Sequence, residues 1–577
     1  MSRRRQAAES VKSKPSEAAE ASSREVLRWG LVGAVVTYLA HPPVGWSLLA
    51  WIGPAAWIAM VSWPQLPGRR PYRALWVAGL VYWLLTIAWL RLPFQPMTWA
   101  SLAFVASYLG LYLPVFVGLS RVAVHRLRWP VWIAAPVVWT GLELARAHLL
   151  TGFLMGSLAD SQYRWPLVLG LAEYGGEYAV TFVMVLTAAL VATTVNIWRV
   201  DRRRAARRAP LILLGPAAAV FIPAAASIPL GMIQIDKGER PARIALIQSD
   251  MLSDWKGTAE RDEEVMVQQA DLSRRAVRES AEPLDLIVWP ETMFRMPLHQ
   301  RGEGYEPPRR LSGIFQSTPN YLAALVDELQ TPVLVGVDRR VWRDLKPNEP
   351  PLYAELPEVG FDAFNSCVMV DRAGEVVGTY DKMHLLPFGE YVPLVDWMPL
   401  LRRVTPITGG AIPGAGPASL ALPLASDAER IVRYAPNICY ETALPHVIRS
   451  QVAELTARGE APDVLVNLTN DAWYWGSAEL DMHLAAGVLR AVETRTPLVI
   501  AANRGLSASI SAGGLVRAAT PRDQADVLIA EVRIPAAKSR PTTFYVRFGD
   551  WLPTLCLLCC TVFAAVGWRA RRAAKAA

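Results

Sequence analysis

The chain has 577 residues, of which 52% are hydrophobic, and it carries a formal net charge of +8. This length predicts two or more domains, and the hydrophobic fraction together with 22 Trp residues is typical of a membrane protein. The positive charge does not indicate nucleic-acid binding, because the basic residues lie in short segments between apolar runs, as membrane topology requires.

The N-terminal part of the chain alternates apolar runs with short breaks. Residues 1–28 form a polar, basic tail that we expect to be disordered, and residues 29–230 are expected to form a membrane domain with about seven helices. A crossing needs about 20 apolar residues. The predicted spans are 29–41, 45–63, 74–92, 99–120, 129–147, 176–196 and 210–229, with a last one at 549–567 before a basic tail at 568–577.

The Lys and Arg residues are distributed unequally between the two sets of connections. One set, formed by residues 1–28, 64–73, 121–128, 199–208 and 569–577, holds 23 of them, whereas the opposite set holds only Arg91, Arg146 and Arg164. The positive-inside rule therefore predicts eight crossings with both termini in the cytoplasm. Because seven crossings precede residue 230, the polar region that follows is predicted to lie on the extracytoplasmic side.

Residues 235–545 are long enough to form a soluble domain with its own core. Short runs rich in Val, Ile and Leu alternate with helical patterns, which predicts a layered α/β sandwich. The strand candidates are 242–248, 284–289, 332–338, 364–370, 431–438, 463–468, 498–502 and 526–533, and the helix candidates are 259–280, 319–329, 444–457 and 478–494. Stretches rich in Pro, Glu and Gly at 299–318 and 341–362 are predicted to be loops.

Three ionisable residues lie at or just beyond the ends of apolar runs, namely Glu291, Lys382 and Cys439. A carboxylate, an amine and a thiol at strand ends can form a thiol acyl-transfer site, in which the thiolate attacks a carbonyl and the ammonium stabilises the oxyanion. Taken singly, each has an ordinary reading as a solvated or core side chain. His384 also stays open as the base of a Cys–His arrangement.

The five cysteines do not form a recognisable disulfide framework. Cys556, Cys559 and Cys560 lie in the apolar C-terminal run and are interpreted as small hydrophobic residues. Pairing between Cys367 and Cys439 is left open. No spaced Cys/His cluster indicates a metal site, and no cofactor is expected.

Three segments in order resemble a known family: Trp-Pro-Glu at 289–291, the stretch at 381–393, and Asn-Ile-Cys-Tyr-Glu at 437–441. They resemble the carbon–nitrogen hydrolase, or nitrilase, superfamily and, within it, the apolipoprotein N-acyltransferase family. The run at 387–393, and Asn-Asp-Ala-Trp at 470–473 followed by His483, are typical of that branch. The resemblance extends over roughly residues 29–567.

The resemblance implies an αββα sandwich that carries a Glu-Lys-Cys triad, with Glu291 as general base, Lys382 as oxyanion-stabilising group and Cys439 as nucleophile. It further implies supporting or substrate-binding roles for Glu390, Tyr440, Glu441, Trp255 and Asn470. Three departures from the family pattern bear on pocket shape: an additional residue within 473–476, Arg504 in place of a small residue, and residues 248–250, which lack the usual Gly-Asn.

The implied reaction moves a fatty acyl chain from a membrane phospholipid, usually phosphatidylethanolamine, through a cysteine thioester to the α-amine of diacylglyceryl-cysteine in a lipoprotein. The implied partners are the phospholipid and diacylated apolipoproteins, at a bacterial inner membrane with the catalytic domain on the periplasmic side. Nothing in the sequence requires more than a monomer. Two alternatives stay open: a membrane-tethered amidase with the same triad, and a catalytically inactive transporter or scaffold.

Overall fold

A computed structural model describes residues 15–198, 201–213, 217, 241–253, 257–346, 359–392, 410–474, 476–534 and 542–576. Most of the predicted span at 210–229, and both Trp255 and Trp475, lie outside these residues.

The N-terminal part is helical throughout its described length. Its helices are α1 (Pro15–Leu39), α2 (Ala55–Val61), α3 (Pro71–Thr86), α4 (Met97–Gly110), α5 (Tyr112–His125), α6 (Val131–His148), α7 (Pro166–Leu169), α8 (Ala172–Gly175), α9 (Glu177–Trp198) and α10 (Arg202–Arg208). The later helices are α11 (Ala259–Glu279), α12 (Ile314–Leu329), α13 (Pro445–Ala457), α14 (Ala478–Thr494), α15 (Phe544–Phe548) and α16 (Trp551–Ala576). The C-terminal α16 returns to pack against α5 and α6.

In the part of the chain that the structure describes, three helical stretches are long and apolar enough to cross a membrane: Met97–His125, Glu177–Trp198 and Trp551–Ala574. The first of them joins α4 and α5. The predicted span at 45–63 is wrong as a single helix, since it is divided into a 3-10 turn and α2. The division falls at Pro54, which cannot donate a backbone hydrogen bond and begins the second piece.

The soluble domain contains two mixed sheets. Their strands are β1 (Pro241–Gln248), β2 (Leu286–Val288), β3 (Phe294–Arg301), β4 (Val333–Asp344), β5 (Val359–Val370), β6 (Val376–Asp381), β7 (Leu420–Leu424), β8 (Asp427–Ile438), β9 (Val464–Asn470), β10 (Leu498–Asn503), β11 (Ala508–Ile510), β12 (Val516–Ala519) and β13 (Asp526–Arg533). The first sheet has the order β13-β1-β2-β4-β5-β6 with β3 beside β4, and the second has the order β12-β11-β10-β9-β8-β7. Strands β1, β2 and β4 are parallel neighbours, as are β8, β9 and β10.

The alternation of side chains along the strands creates the layers. In β1, Ile244 and Leu246 belong to an apolar core shared with Val432 and Leu468 of the second sheet. Ala245 and Ile247, which alternate with them, pack instead in a core formed with α11 and α12. Because successive strand residues point to opposite faces, this pattern gives two sheets face to face with helices outside them. The predicted αββα sandwich is thus the observed fold.

The outer helical layer of the second sheet, α13 and α14, lies against the membrane helices. Ile448 of α13 and Val488 of α14 belong to the same continuous apolar cluster as residues of α6 and α9. A Cβ at Gly514 would lie 2.6 Å from Val492 of α14 and 3.5 Å from Leu169 of α7, which shows how closely these layers meet. The sandwich is therefore packed onto the membrane domain through α14.

The predicted strands and helices of the soluble domain are all present. The predicted loop at 299–318 is wrong in part, because β3 continues to Arg301 and α12 begins at Ile314. Strand β3 is a half-exposed edge strand that contains Pro297 and several polar residues, so it lacks the apolar run that marks the other strands. Residues 347–358 of the second predicted loop lie outside the part of the chain that the structure describes.

Candidate active site

The three predicted catalytic residues follow the ends of three strands. Glu291 comes three residues after β2, whereas Lys382 and Cys439 come directly after β6 and β8. Strands β2 and β6 belong to the first sheet and β8 to the second, so the site is built between the two sheets. Strands β2 and β8 are buried along their last residues, and in β6 the residue before the last, Tyr380, is buried.

A lysine held between two glutamates forms the centre of the site. Nζ of Lys382 lies 3.4 Å from Oε1 of Glu291 and 2.9 Å from Oε2 of Glu390, and the lysine side chain is only 2% exposed. The amide of Asn365 in β5 bridges the two carboxylates, because its Nδ2 donates to Glu291 at 2.7 Å and to Glu390 at 2.6 Å. This network fixes the direction of both carboxylates and of the ammonium between them.

The backbone around Glu291 is held by close packing. The N–H of Asn470 donates to Oε2 of Glu291 at 3.1 Å, and Thr292 has a left-handed φ of 52°. A Cβ at Gly336 of β4 would lie 2.4 Å from the Pro290 carbonyl oxygen and 2.7 Å from Cα of Glu291. Only glycine therefore lets β4 pass under the base at this distance.

Cys439 occupies a sharp turn between β8 and a 3-10 turn over Cys439–Ala443. Its φ is 54°, a left-handed conformation that is costly for a residue with a Cβ and is found at functional sites. The carbonyl oxygen of Cys439 accepts from Nδ2 of Asn467 and faces Nε2 of His483, at 3.2 Å in each case. These contacts stabilise the turn that presents the thiol.

The buried carboxylate of Glu441 ties the nucleophile turn to the lysine loop. It accepts from the N–H groups of Ile438 at 2.7 Å, Met383 at 2.8 Å and His384 at 3.0 Å, and also from the hydroxyl of Tyr380. With all of these bonds made inside the protein, the side chain positions the backbone on both sides of the site.

Burial and charge set the protonation of the site. Burial raises the pKa of Glu291, and Lys382 only partly opposes it. Burial works against the ammonium of Lys382, but Glu390 and Glu291 outweigh it and raise the pKa of Lys382 well above its ordinary value. Burial, and then the charge of Glu291, raise the pKa of the Cys439 thiol. The resting thiol therefore needs a base to become a nucleophile.

The remaining predicted residues have clear positions. The hydroxyl of Tyr440 donates to the Gly152 carbonyl at 3.0 Å, which links the nucleophile turn to the loop after α6. The imidazole of His384 lies near the ring of Tyr440, with centroids 6.5 Å apart, and among the described residues it makes no hydrogen bond to Cys439. Cys367 is a free, buried thiol within β5, so it does not pair with Cys439.

An aromatic cavity lies in the membrane domain next to this loop. It has a volume of about 70 Å³ and is lined by aromatic side chains, among them Trp57, Trp83 and Trp139. Arg146 lines it as well, with its guanidinium 4.9 Å from the Trp83 ring centroid. Gly156, which lines the cavity, lies in the same loop as Gly152, the hydrogen-bond partner of Tyr440.

Comparison with known proteins assigns the family. Residues 33–190 match the model of the apolipoprotein N-acyltransferase N-terminal domain, and residues 243–541 match the carbon-nitrogen hydrolase model. An apolipoprotein N-acyltransferase of Rhodopirellula baltica is 30% identical over 93% of this chain and 97% of its own length. The chain belongs to the apolipoprotein N-acyltransferase family. A relative of the same name from Geobacter metallireducens is 30% identical over 93% of this chain and 94% of its own. Among solved structures, an amidase from Nesterenkonia sp. aligns with a TM-score of 0.32 and 15% identity, covering 51% of this chain and 91% of that one.

The family assignment confirms the resemblance drawn from the three motif segments. The protein is a membrane N-acyltransferase of the nitrilase superfamily that takes its acyl group from a membrane lipid and acts on lipoproteins. The match over residues 33–190 covers the helices that the amidase alternative treats as a simple anchor.

Two residues of the site were missed from the sequence. Asn365 stands as a polar residue in a strand that is otherwise mostly apolar, which is a weak signal. Gly336 had no signal, because its role depends on the approach of a segment 45 residues earlier in the chain.

Proposed function

We propose that this chain transfers a fatty acyl chain from a phospholipid, through a thioester on Cys439, to the α-amine of diacylglyceryl-cysteine at the start of a lipoprotein. The observation that carries the proposal is the lysine held by two carboxylates beside a thiol on a strained turn. A carboxylate, an ammonium and a thiol in this arrangement provide a base, an oxyanion-stabilising group and a nucleophile.

In the first half-reaction Glu291 takes the proton of the Cys439 thiol, and the thiolate attacks the ester carbonyl of the phospholipid. The C–S bond forms and the ester C–O bond breaks, and the proton passes from Glu291 to the leaving alkoxide, which departs as the lyso-lipid alcohol. A glutamate whose pKa is raised by burial is better matched to this proton transfer than an exposed one.

In the second half-reaction the α-amine of the lipoprotein attacks the thioester carbonyl. The amide C–N bond forms, the C–S bond breaks, and the amine proton returns through Glu291 to the sulfur. Lys382 stabilises the oxyanion of each tetrahedral intermediate, and its burial strengthens this interaction because little water competes. Glu390 and Asn365 keep the ammonium and the base in place.

The aromatic cavity, which Gly156 of the loop after α6 helps to line, supports a lipid donor. Its aromatic lining offers part of an acyl chain a place away from water, and a dry site protects the thioester from hydrolysis. Phosphatidylethanolamine is the proposed donor, and diacylated apolipoproteins are the proposed acceptors.

The catalytic domain is proposed to lie on the periplasmic side of a bacterial inner membrane, with eight crossings and both termini in the cytoplasm. The distribution of 23 Lys and Arg residues against three supports this topology. Labelling of single cysteines introduced at residues 3 and 303 in intact cells tests it. A membrane-impermeant maleimide is expected to modify residue 303 and to spare residue 3 until the cells are lysed.

The deciding experiment is the intact mass of the purified, full-length protein after incubation with phosphatidylethanolamine alone. The wild type is expected to gain one fatty-acyl mass, mapped to Cys439, and Cys439→Ala to gain none. Addition of a diacylated lipopeptide with a free N-terminal amine then discharges the adduct into a triacylated product. Discharge of the adduct by water alone at the same rate would favour the amidase, and the absence of any adduct on folded protein excludes the phospholipid-donor mechanism.

A further inference from the structure

A second polar network lies beside the nucleophile turn, at the carbonyl oxygen of Cys439. It consists of His483 on α14, Asp471 in the 3-10 turn after β9, and Glu479 in the first turn of α14. All three side chains are buried. One ring nitrogen of His483 and one carboxylate oxygen of each acidic residue all lie within 4.8 Å of one another. The mechanism proposed above uses none of them.

The imidazole of His483 lies between two oxygen atoms. Its Nε2 is 3.2 Å from the carbonyl oxygen of Cys439, and its Nδ1 is 3.3 Å from Oδ1 of Asp471. A carbonyl oxygen only accepts hydrogen bonds, and so does an ionised carboxylate. Both ring nitrogens must therefore carry a proton, which makes the ring a cation.

The charges around His483 agree with this state. Burial disfavours the imidazolium, but the charge of Asp471, its hydrogen bond to the ring and the hydrogen bond to the Cys439 carbonyl favour it, and the pKa of His483 is raised to about 9. Burial and the neighbouring Asp471 raise the pKa of Glu479 to about 8, so that Glu479 is mostly neutral at pH 7. The cluster then holds one cation and one anion and has no excess charge.

The network also reaches the sulfur side of the nucleophile. The Thr469 hydroxyl donates to Oδ1 of Asp471 at 2.6 Å, and it also contacts the Cys439 thiol, where it lowers the thiol pKa. Asp471, Thr469 and His483 thus enclose Cys439 from its carbonyl to its side chain.

We propose that His483 is a positioning residue for the nucleophile: its imidazolium, held by Asp471, binds the Cys439 carbonyl, fixes the left-handed turn and places a positive charge beside the thiolate. The proposal rests on the proposed function of Cys439 as the acylated thiol. Lys382 already favours the thiolate, whereas the negative charges of Glu291 and Asp471 disfavour it, and the imidazolium would offset the charge of Asp471.

The test measures the pH dependence of Cys439 alkylation by iodoacetamide in the full-length protein, read by peptide mapping. In His483→Gln the midpoint is expected to rise by about one pH unit, because the cation is lost and the Asp471 charge is left beside the thiol. Acyl-adduct formation at pH 7 is expected to slow about tenfold. His299→Gln is the control: the ring of His299 is also hydrogen-bonded, as the acceptor from Trp342 at 2.9 Å, but it lies outside the site, so the midpoint should not move.

The double variant His483→Gln with Asp471→Asn separates charge from structure. It removes the cation and the anion together, so the alkylation midpoint is expected to return towards that of the wild type, whereas a purely structural role predicts no return. Acylation stays at least tenfold slow, because a flexible amide does not hold the Cys439 carbonyl as the ring does. If His483→Gln does not fold, the double variant replaces it, because it leaves neither a buried cation nor a buried anion without a partner. Its acylation rate then tests the proposal.

Three outcomes overturn the proposal. The first is a wild-type midpoint and acylation rate in His483→Gln, and the second is a wild-type acylation rate in the double variant. The third is one equivalent of divalent metal in the purified wild type that His483→Gln loses, since a ring nitrogen bound to metal has no proton to donate. Alkylation of Cys439 needs no lipid. The pH midpoints of alkylation can therefore be measured, and the role of His483 tested, even if the acyl-transfer proposal fails.

Discussion

Substitution of Gly336 by alanine should disable the base without touching any ionisable group. The new Cβ would lie 2.4 Å from the Pro290 carbonyl oxygen, about 1 Å closer than the 3.4 Å at which ordinary contact begins. Strand β4 is fixed by its pairing with β5, in which Gly336 lies opposite Cys367. The short irregular segment that carries Glu291 is therefore the part that moves.

The size of the effect follows from this displacement. A misplacement of about 1 Å in a catalytic group costs about 100-fold in rate, so the rate of acyl-adduct formation on Cys439 should fall by about that factor. The overpacked core should also lose about 1–3 kcal/mol of stability, which leaves the protein folded.

The assay is the time course of the fatty-acyl mass on the full-length protein with phosphatidylethanolamine. Gly313→Ala is the control, because nothing lies within 4 Å of a Cβ at that residue and its φ is −70°. Acylation by Gly336→Ala within threefold of the wild-type rate would refute the claim that this glycine positions the base.

Two further predictions concern stability. Arg490 is fully buried and pairs with Glu177 at 2.6 Å and with Glu493 at 2.8 Å, so Arg490→Met should cost about 3–5 kcal/mol by removing the buried partner of both acidic side chains. The exposed Arg458→Met should cost less than about 1 kcal/mol. Both variants are compared by thermal unfolding followed through tryptophan fluorescence. Burial raises the pKa of Glu493 to about 8, although Arg490 opposes this shift, and the pKa of His483 is raised to about 9. Because both values lie above those of the unfolded chain, the folded protein binds more protons than the unfolded chain above pH 5. The unfolding temperature should therefore fall between pH 6 and pH 9, most steeply above pH 6.5 where His483 begins to contribute, and a flat profile would contradict these protonation states.

Two of the three strands that carry the site, β2 and β8, were predicted, because β2 is a buried apolar run and β8 ends in buried, mostly apolar residues. Strand β6, which precedes Lys382, was not predicted as a strand, because Tyr380 is the one buried residue of its six. Strand β3 was missed because it lies at an edge and alternates irregularly. The sequence pattern thus shows the centre of a sheet well and its edges poorly.

Contacts between distant segments were not predictable. Arg504 and Asp250 each depart from the family pattern, and in sequence they are unrelated. In the structure they form an ion pair with 3.0 Å between Nε and Oδ1, and Arg504 has a left-handed φ of 55°. The two unusual residues therefore form one contact. A single sequence gives no indication that residues 250 and 504 are neighbours.

Helix α14 is buried along almost its whole surface, since 15 of its 17 residues are inaccessible to solvent. One end holds His483 at the nucleophile and the other holds Arg490 at the first turn of α9. A helix of this kind has no side on which evolution can vary residues freely. In a library of all single substitutions we expect α14 to tolerate fewer changes than α11, whose outer face is open to water. Helix α14 would then be among the segments that tolerate the fewest substitutions, although it carries none of the three triad residues.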